Sequence, residues 1–157
     1  MRGITAALPF LVALAGVAAG QRRPNFTGDW VLDRARSRLE YPEPGRLDSA
    51  VVRIAHADSA FVFIRRFVVN GRADTLSWTL VPGGAEDSSS EGTQQSFSRL
   101  RWAGDTLVLE SRIVTPRGQA GDTVRYRLLE GGRVLEANER FRAPRLRYDN
   151  SWVFVRR

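Results

Sequence analysis

The chain has 157 residues, with 24 basic against 17 acidic side chains, a net charge of +7 and no cysteine. Without cysteine, disulfide support, thiolate catalysis and a cysteine-ligated metal are all excluded. Every basic residue is arginine, as GC-rich coding produces, and the arginines are dispersed, so the charge implies loose contact with an anionic envelope surface; nucleic acid is not an expected partner.

Arg2 gives the chain a positive start, and Gly3 to Gly20 carries no charge. Ala18-Ala19-Gly20 places small residues just before the polar Gln21-Arg22-Arg23. This is the pattern of a cleavable signal peptide over 1–20. The alternative is a retained membrane anchor, but the stretch is rich in Ala and Gly and carries Pro9 at its centre, whereas a span needs roughly 20 strongly apolar residues. Export to the periplasm or the exterior is expected, with residues 21–157 forming one domain.

Short segments rich in β-branched and aromatic residues follow at 28–33, 50–56, 61–69, 74–81, 93–102, 106–114, 122–129, 133–141 and 150–157. Turn signals separate them at the spacing of a sandwich or barrel. No stretch shows a sustained helical period; the best candidate, Asp33 to Leu39, ends at Tyr41-Pro42-Glu43-Pro44-Gly45, a loop because Pro blocks both helix continuation and ladder bonding. Gly83 to Gly92 is polar and rich in Ser, and a second, longer mobile loop is expected there.

Three hairpins can be registered from their turns. Asn70-Gly71 suits a type I′ turn, because both residues tolerate positive φ. Folding there sets Phe61 against Leu80, Phe63 against Trp78 and Arg65 against Leu76, with Ile64–Ser77 and Arg66–Thr75 on the other face. Gly131-Gly132 sets Leu128 against Leu135, Tyr126 against Ala137 and Val124 against Glu139. Its other face offers two opposite-charge pairs, Glu130–Arg133 and Arg127–Glu136. Gly104-Asp105 sets Trp102 against Leu107 and Leu100 against Leu109, with Arg99–Glu110 and Phe97–Arg112 outside. Each hairpin has one apolar face and one solvated face, the pattern of an antiparallel sheet closing on itself.

With the strands placed, the opening Asn25-Phe26-Thr27-Gly28-Asp29-Trp30-Val31-Leu32-Asp33, followed by Ser37, resembles the start of small exported bacterial lipocalin-like proteins of unassigned function. The Trp102-Ala103-Gly104-Asp105-Thr106-Leu107 hairpin and the terminal Trp152-Val153-Phe154-Val155-Arg156 strand are similar to the same group. The resemblance implies an all-β, single up-and-down antiparallel barrel of about eight or nine strands. It further implies that Gly28 and Trp30 close one end, and that Arg156 (or Arg157) lies across the Trp30 ring. An indole facing a guanidinium gains ~0.5–2 kcal/mol.

Motifs for chemistry are few. His56 is the only histidine; with no Gly-x-Ser-x-Gly elbow beside it, a surface role at a strand end is expected and catalysis is not. Glu86, Asp87 and Glu91 lack calcium-site spacing and read as solvating charges on a loop. No cofactor, metal or enzymatic activity is expected.

Two charges stand out instead. By the hairpin registers Arg65 and Glu139 lie on apolar faces, where an unpaired ion is costly. Either they neutralise one another or sit near a barrel mouth, or Arg65 awaits an anionic head group above an aromatic floor. Phe61, Phe63, Leu76, Trp78, Leu80, Leu100, Trp102 and Tyr126 are the accompanying pocket candidates. The reading is a monomeric binding barrel for a small apolar or amphipathic ligand. Its alternatives are an envelope interaction module whose barrel is filled by its own side chains and, last, an enzyme on a barrel scaffold.

Overall fold

The computed structural model describes residues 23–157; the expected signal segment lies outside them. Ten strands occur among the described residues: β1 (Gly28–Leu32), β2 (Leu47–Ala57), β3 (Ala60–Val69), β4 (Arg72–Leu80), β5 (Asp87–Glu91), β6 (Gln94–Ala103), β7 (Thr106–Thr115), β8 (Gly118–Leu129), β9 (Val134–Arg142) and β10 (Arg147–Arg156).

Turn chemistry sets the register. Asn70 and Gly71 take φ of 50° and 72°, as a type I′ turn requires, and every β3–β4 pair expected from that turn is present. The β6–β7 and β8–β9 ladders likewise carry the expected pairs apart from Glu130–Arg133, Leu100 with Leu109 and Tyr126 with Ala137 among them. Each strand pairs with its chain neighbour, except that β1 joins β2 to β10 and no ladder links β4 to β5. The sheet order β4-β3-β2-β1-β10-β9-β8-β7-β6-β5 is therefore a nearly closed antiparallel barrel with a seam between β4 and β5. One backbone bond reaches across beside it, from Gly83 N–H to the Leu100 carbonyl at 2.7 Å.

Several local expectations are corrected. The Ser-rich stretch read as a loop contains β5, which pairs Ser89 with Ser96 and Asp87 with Ser98. As an edge strand it needs ladder bonds but little burial, so no apolar alternation marks it. Asp33 to Leu39 forms turns, in keeping with the lack of a sustained helical period, and Arg38 exchanges two backbone hydrogen bonds with Ser151 at 2.8 and 2.7 Å. Glu130 lies in a 3-10 turn over Glu130–Gly132, and its carboxylate meets Arg36 at 2.6 Å instead of Arg133. Glu110 stands opposite Arg99 but is held by Arg101 through two bonds of 2.7 and 3.2 Å.

Inward residues of all the long strands converge on one core. Its most buried members include Phe26, Trp30, Phe61, Leu100, Leu107 and Leu135. Phe26 precedes β1 and plugs one end of the barrel, 6.1 Å from the Phe61 ring and 6.2 Å from that of Trp102.

Candidate ligand-binding cavity

The closed end forms around a cross-strand pair. Trp30 on β1 lies opposite Arg156 on β10, and the guanidinium carbon sits 4.4 Å from the centre of the indole. Arg156 donates from Nη1 to the Thr27 carbonyl at 2.6 Å and from Nε to the Gly132 carbonyl at 3.1 Å. Trp30 Nε1 donates to the Phe26 carbonyl at 3.2 Å. A Cβ at Gly28 would come within 2.6 Å of Arg156 Nη1, so only glycine leaves room for that guanidinium.

His56 belongs to this end too, and is half-buried rather than a freely exposed strand-end residue. Its ring packs among Phe26, Phe61 and Trp102, and Nδ1 accepts the Phe26 backbone N–H at 3.3 Å. Burial lowers its pKa, against a weaker pull upward from Asp58.

Above the plug lies a cavity of about 80 Å3. Its floor is aromatic: Phe63 stacks on Trp78 with ring centres 4.9 Å apart and meets Tyr126 at 5.9 Å. Val52, Val124, Leu135 and Phe154 complete the apolar wall, and Arg65, Asp122 and Glu139 line the level above. Among the expected pocket residues, Phe63, Arg65, Leu76, Trp78, Tyr126 and Glu139 line this cavity. Phe61, Leu80, Leu100 and Trp102 do not: Phe26 fills the space beneath, so Phe61 and Leu100 become solid core and Trp102 packs beside the plug.

The two inward charges have separate partners, so of the alternatives expected for them the mutual ion pair does not form. Glu139 accepts from three donors on β10: Tyr148 Oη at 3.2 Å, Asn150 Nδ2 at 2.9 Å and Trp152 Nε1 at 2.7 Å. Arg65 turns the other way, its Nη2 reaching Asp74 at 3.3 Å and its guanidinium carbon lying 4.4 Å from the Phe67 ring centre.

The third polar group, Asp122, was not among the sequence candidates. It starts the inward alternation Asp122, Val124, Tyr126, Leu128 on β8, and that period-two pattern is the signal that would have found it. Its carboxyl pKa is pushed up to about 7, first by burial and then by the Glu139 charge, against the opposing influence of Arg65 and the Thr123 backbone. The Tyr126 and Tyr148 phenols are likewise raised, chiefly by burial, and stay neutral.

Two polar atoms here lack partners among the described residues. Arg65 Nε and Asp122 Oδ1 are both buried and without a hydrogen bond. On the seam side the cavity adjoins a groove of about 650 Å3 between β4 and β5–β7, which shares Leu76, Trp78, Leu109 and Asp122 with it. Serines 88, 89, 90, 96, 98 and 111 make much of that groove polar.

No protein-family model matches this chain, and no curated protein matches it in sequence. Solved structures match it in shape. A secretory abundant heat soluble protein from Ramazzottius varieornatus aligns with a TM-score of 0.52 at 10% identity, over 83% of this chain and 94% of its own. Protein 4 of that kind, from the same organism, gives 0.51 at 12% identity, over 84% and 94%. The chain shares their fold. It is a lipocalin-like, nearly closed antiparallel barrel. A fatty acid transporter, REP1-NXSQ, in a point-mutant form, aligns with a TM-score of 0.49 at 10% identity, over 83% and 97%.

Proposed function

We propose that this protein is an exported binding barrel that holds a small amphipathic molecule and performs no chemistry on it. The apolar part of the ligand rests on Phe63, Trp78 and Tyr126, and its polar group meets Arg65 and Asp122. The observation that carries this reading is the pair of unpartnered buried atoms, Arg65 Nε and Asp122 Oδ1, in one otherwise apolar cavity. Leaving a buried polar group unsatisfied costs about 1–3 kcal/mol, and native proteins keep few such groups without a purpose.

The volume limits what fits. About 80 Å3 is roughly half of the ~150 Å3 engineered cavity that takes benzene, and well under the ~300–1,000 Å3 of pockets for drug-sized molecules. The ligand is therefore small, or only one end of it passes the Leu76–Asp122 boundary while the rest lies in the seam groove. The same small volume favours a second reading, a self-filled barrel acting as an envelope interaction module. That reading leaves the two orphan atoms without a reason.

Native mass spectrometry of protein purified from its own host separates the two. A binding barrel carries a co-purifying small molecule that an Asp122→Leu variant loses. A spectrum of bare protein, unchanged by added amphiphiles, contradicts the proposal.

A further inference from the structure

We infer that the polar group this cavity accepts is uncharged and carries both a hydrogen-bond acceptor and a donor, as a primary amide or an alcohol does. The inference deepens the binding-barrel reading and rests on it. Its basis is the complementarity of the two orphan atoms. Arg65 Nε–H can only donate, and Asp122 Oδ1, once its carboxyl is ionised above about pH 7, can only accept. A ligand satisfying both must therefore offer one acceptor and one donor. A carboxylate offers acceptors alone and would set oxygen against the Asp122 oxygen. An ammonium offers donors alone and would leave Arg65 Nε–H unpaired.

The charges around the cavity also disfavour an anion; a cation is excluded only by the unpaired Arg65 Nε–H. Arg65, Asp122 and Glu139 are the charged residues lining it, and Asp74 already engages Arg65 from the rim. Three carboxyl groups thus stand against one guanidinium, while Tyr126 and Tyr148 add no charge. Glu139 is closed off by its three β10 donors and has no need of a ligand. The upward shift at Asp122 reports this balance: burial and Glu139 outweigh Arg65, so the site already resists one negative charge and would resist a second more strongly. In a medium of low dielectric such repulsion is only weakly screened.

The test is a titration of the protein with four matched four-carbon probes: butanamide, 1-butanol, butanoate and butylammonium. The pH is held near 8, where butanoate is ionised and butylammonium keeps its proton. The Arg65 Nε–H and Trp78 indole N–H resonances report occupancy of the cavity. Butanamide and 1-butanol should bind at least about tenfold more tightly than either charged probe, a difference of ~1.4 kcal/mol. Asp122→Asn removes the charge while keeping size and shape, and should bring butanoate to within about threefold of butanamide. Arg65→Met should weaken butanamide about tenfold or more.

A wild-type preference for butanoate or for butylammonium, or selectivity unchanged in Asp122→Asn, overturns the head-group inference and leaves the cavity reading standing. No shift of the Arg65 and Trp78 signals with any of the four probes overturns both.

Discussion

The imidazole of His56 accepts the backbone N–H of Phe26 through Nδ1 at 3.3 Å, which ties the plug residue to the second strand only while that nitrogen is unprotonated. Burial lowers the His56 pKa below 6.5. The unfolded chain therefore takes up a proton on acidification before the folded one does, and stability falls as pH drops through about 6.5 and below. His56→Asn keeps an acceptor near the same place without titrating. Thermal melts should lose more between about pH 7 and 5 in the wild type than in this variant. Equal losses would show that the plug does not depend on the charge state of His56.

Asp122 contributes the opposite slope. Its carboxyl titrates near 7 in the fold against 3.8 in the open chain. Between those values the folded state holds a proton that the unfolded state has lost, so the contribution is complete at low pH and disappears as pH rises through about 7. The difference amounts to roughly 2–4 kcal/mol. Asp122→Asn should therefore be more stable than the wild type above about pH 7 and gain nothing near pH 4. Urea midpoints at the two pH values check this, and equal differences at both would place Asp122 in solvent.

At the closed end, Trp30→Ala should cost about 3–5 kcal/mol, as large-to-small core changes do, because the indole is fully buried. Arg156→Ala should cost less, about 1–2 kcal/mol, through lost capping of the Thr27 and Gly132 carbonyls and lost packing on the ring. Urea midpoints again decide, and a Trp30→Ala midpoint near wild type would mean that the indole is no plug.

Much of this frame is readable in the chain because turn residues specify register. Asn70-Gly71 and Gly104-Asp105 each determine a whole ladder, and with it which side chains face inward. What escapes a local reading is what depends on distant partners. Asp87–Glu91 is a strand only because β6 lies beside it. Glu139 meets Tyr148 across a pairing that begins at Arg147, before the expected start of the last strand, and no turn signal registers that strand against its neighbour, so the donors were invisible and Arg65 looked like its natural partner. Phe26 lies outside every strand, and only the folded chain shows it taking the space that Phe61, Leu100 and Trp102 were expected to leave open.

Because Arg65 and Glu139 have separate partners, their substitutions should be close to additive. Glu139→Leu orphans two buried donors, on Asn150 and Trp152, and should cost roughly 2–3 kcal/mol or more. Arg65→Met should cost little. A double-mutant cycle should return a coupling under about 0.5 kcal/mol, whereas a coupling of several times that size would restore the ion pair.

The central claim is that Arg65 and Asp122 serve a ligand rather than the fold. The unfolding free energy of the Arg65→Met, Asp122→Leu double variant near neutral pH tests it most directly. Replacing an unsatisfied donor and an unsatisfied acceptor by apolar groups removes two burial penalties, so stability should rise by about 1–3 kcal/mol. A fall of that size would show that the pair holds the barrel together, and the account of this cavity as a binding site would be contradicted.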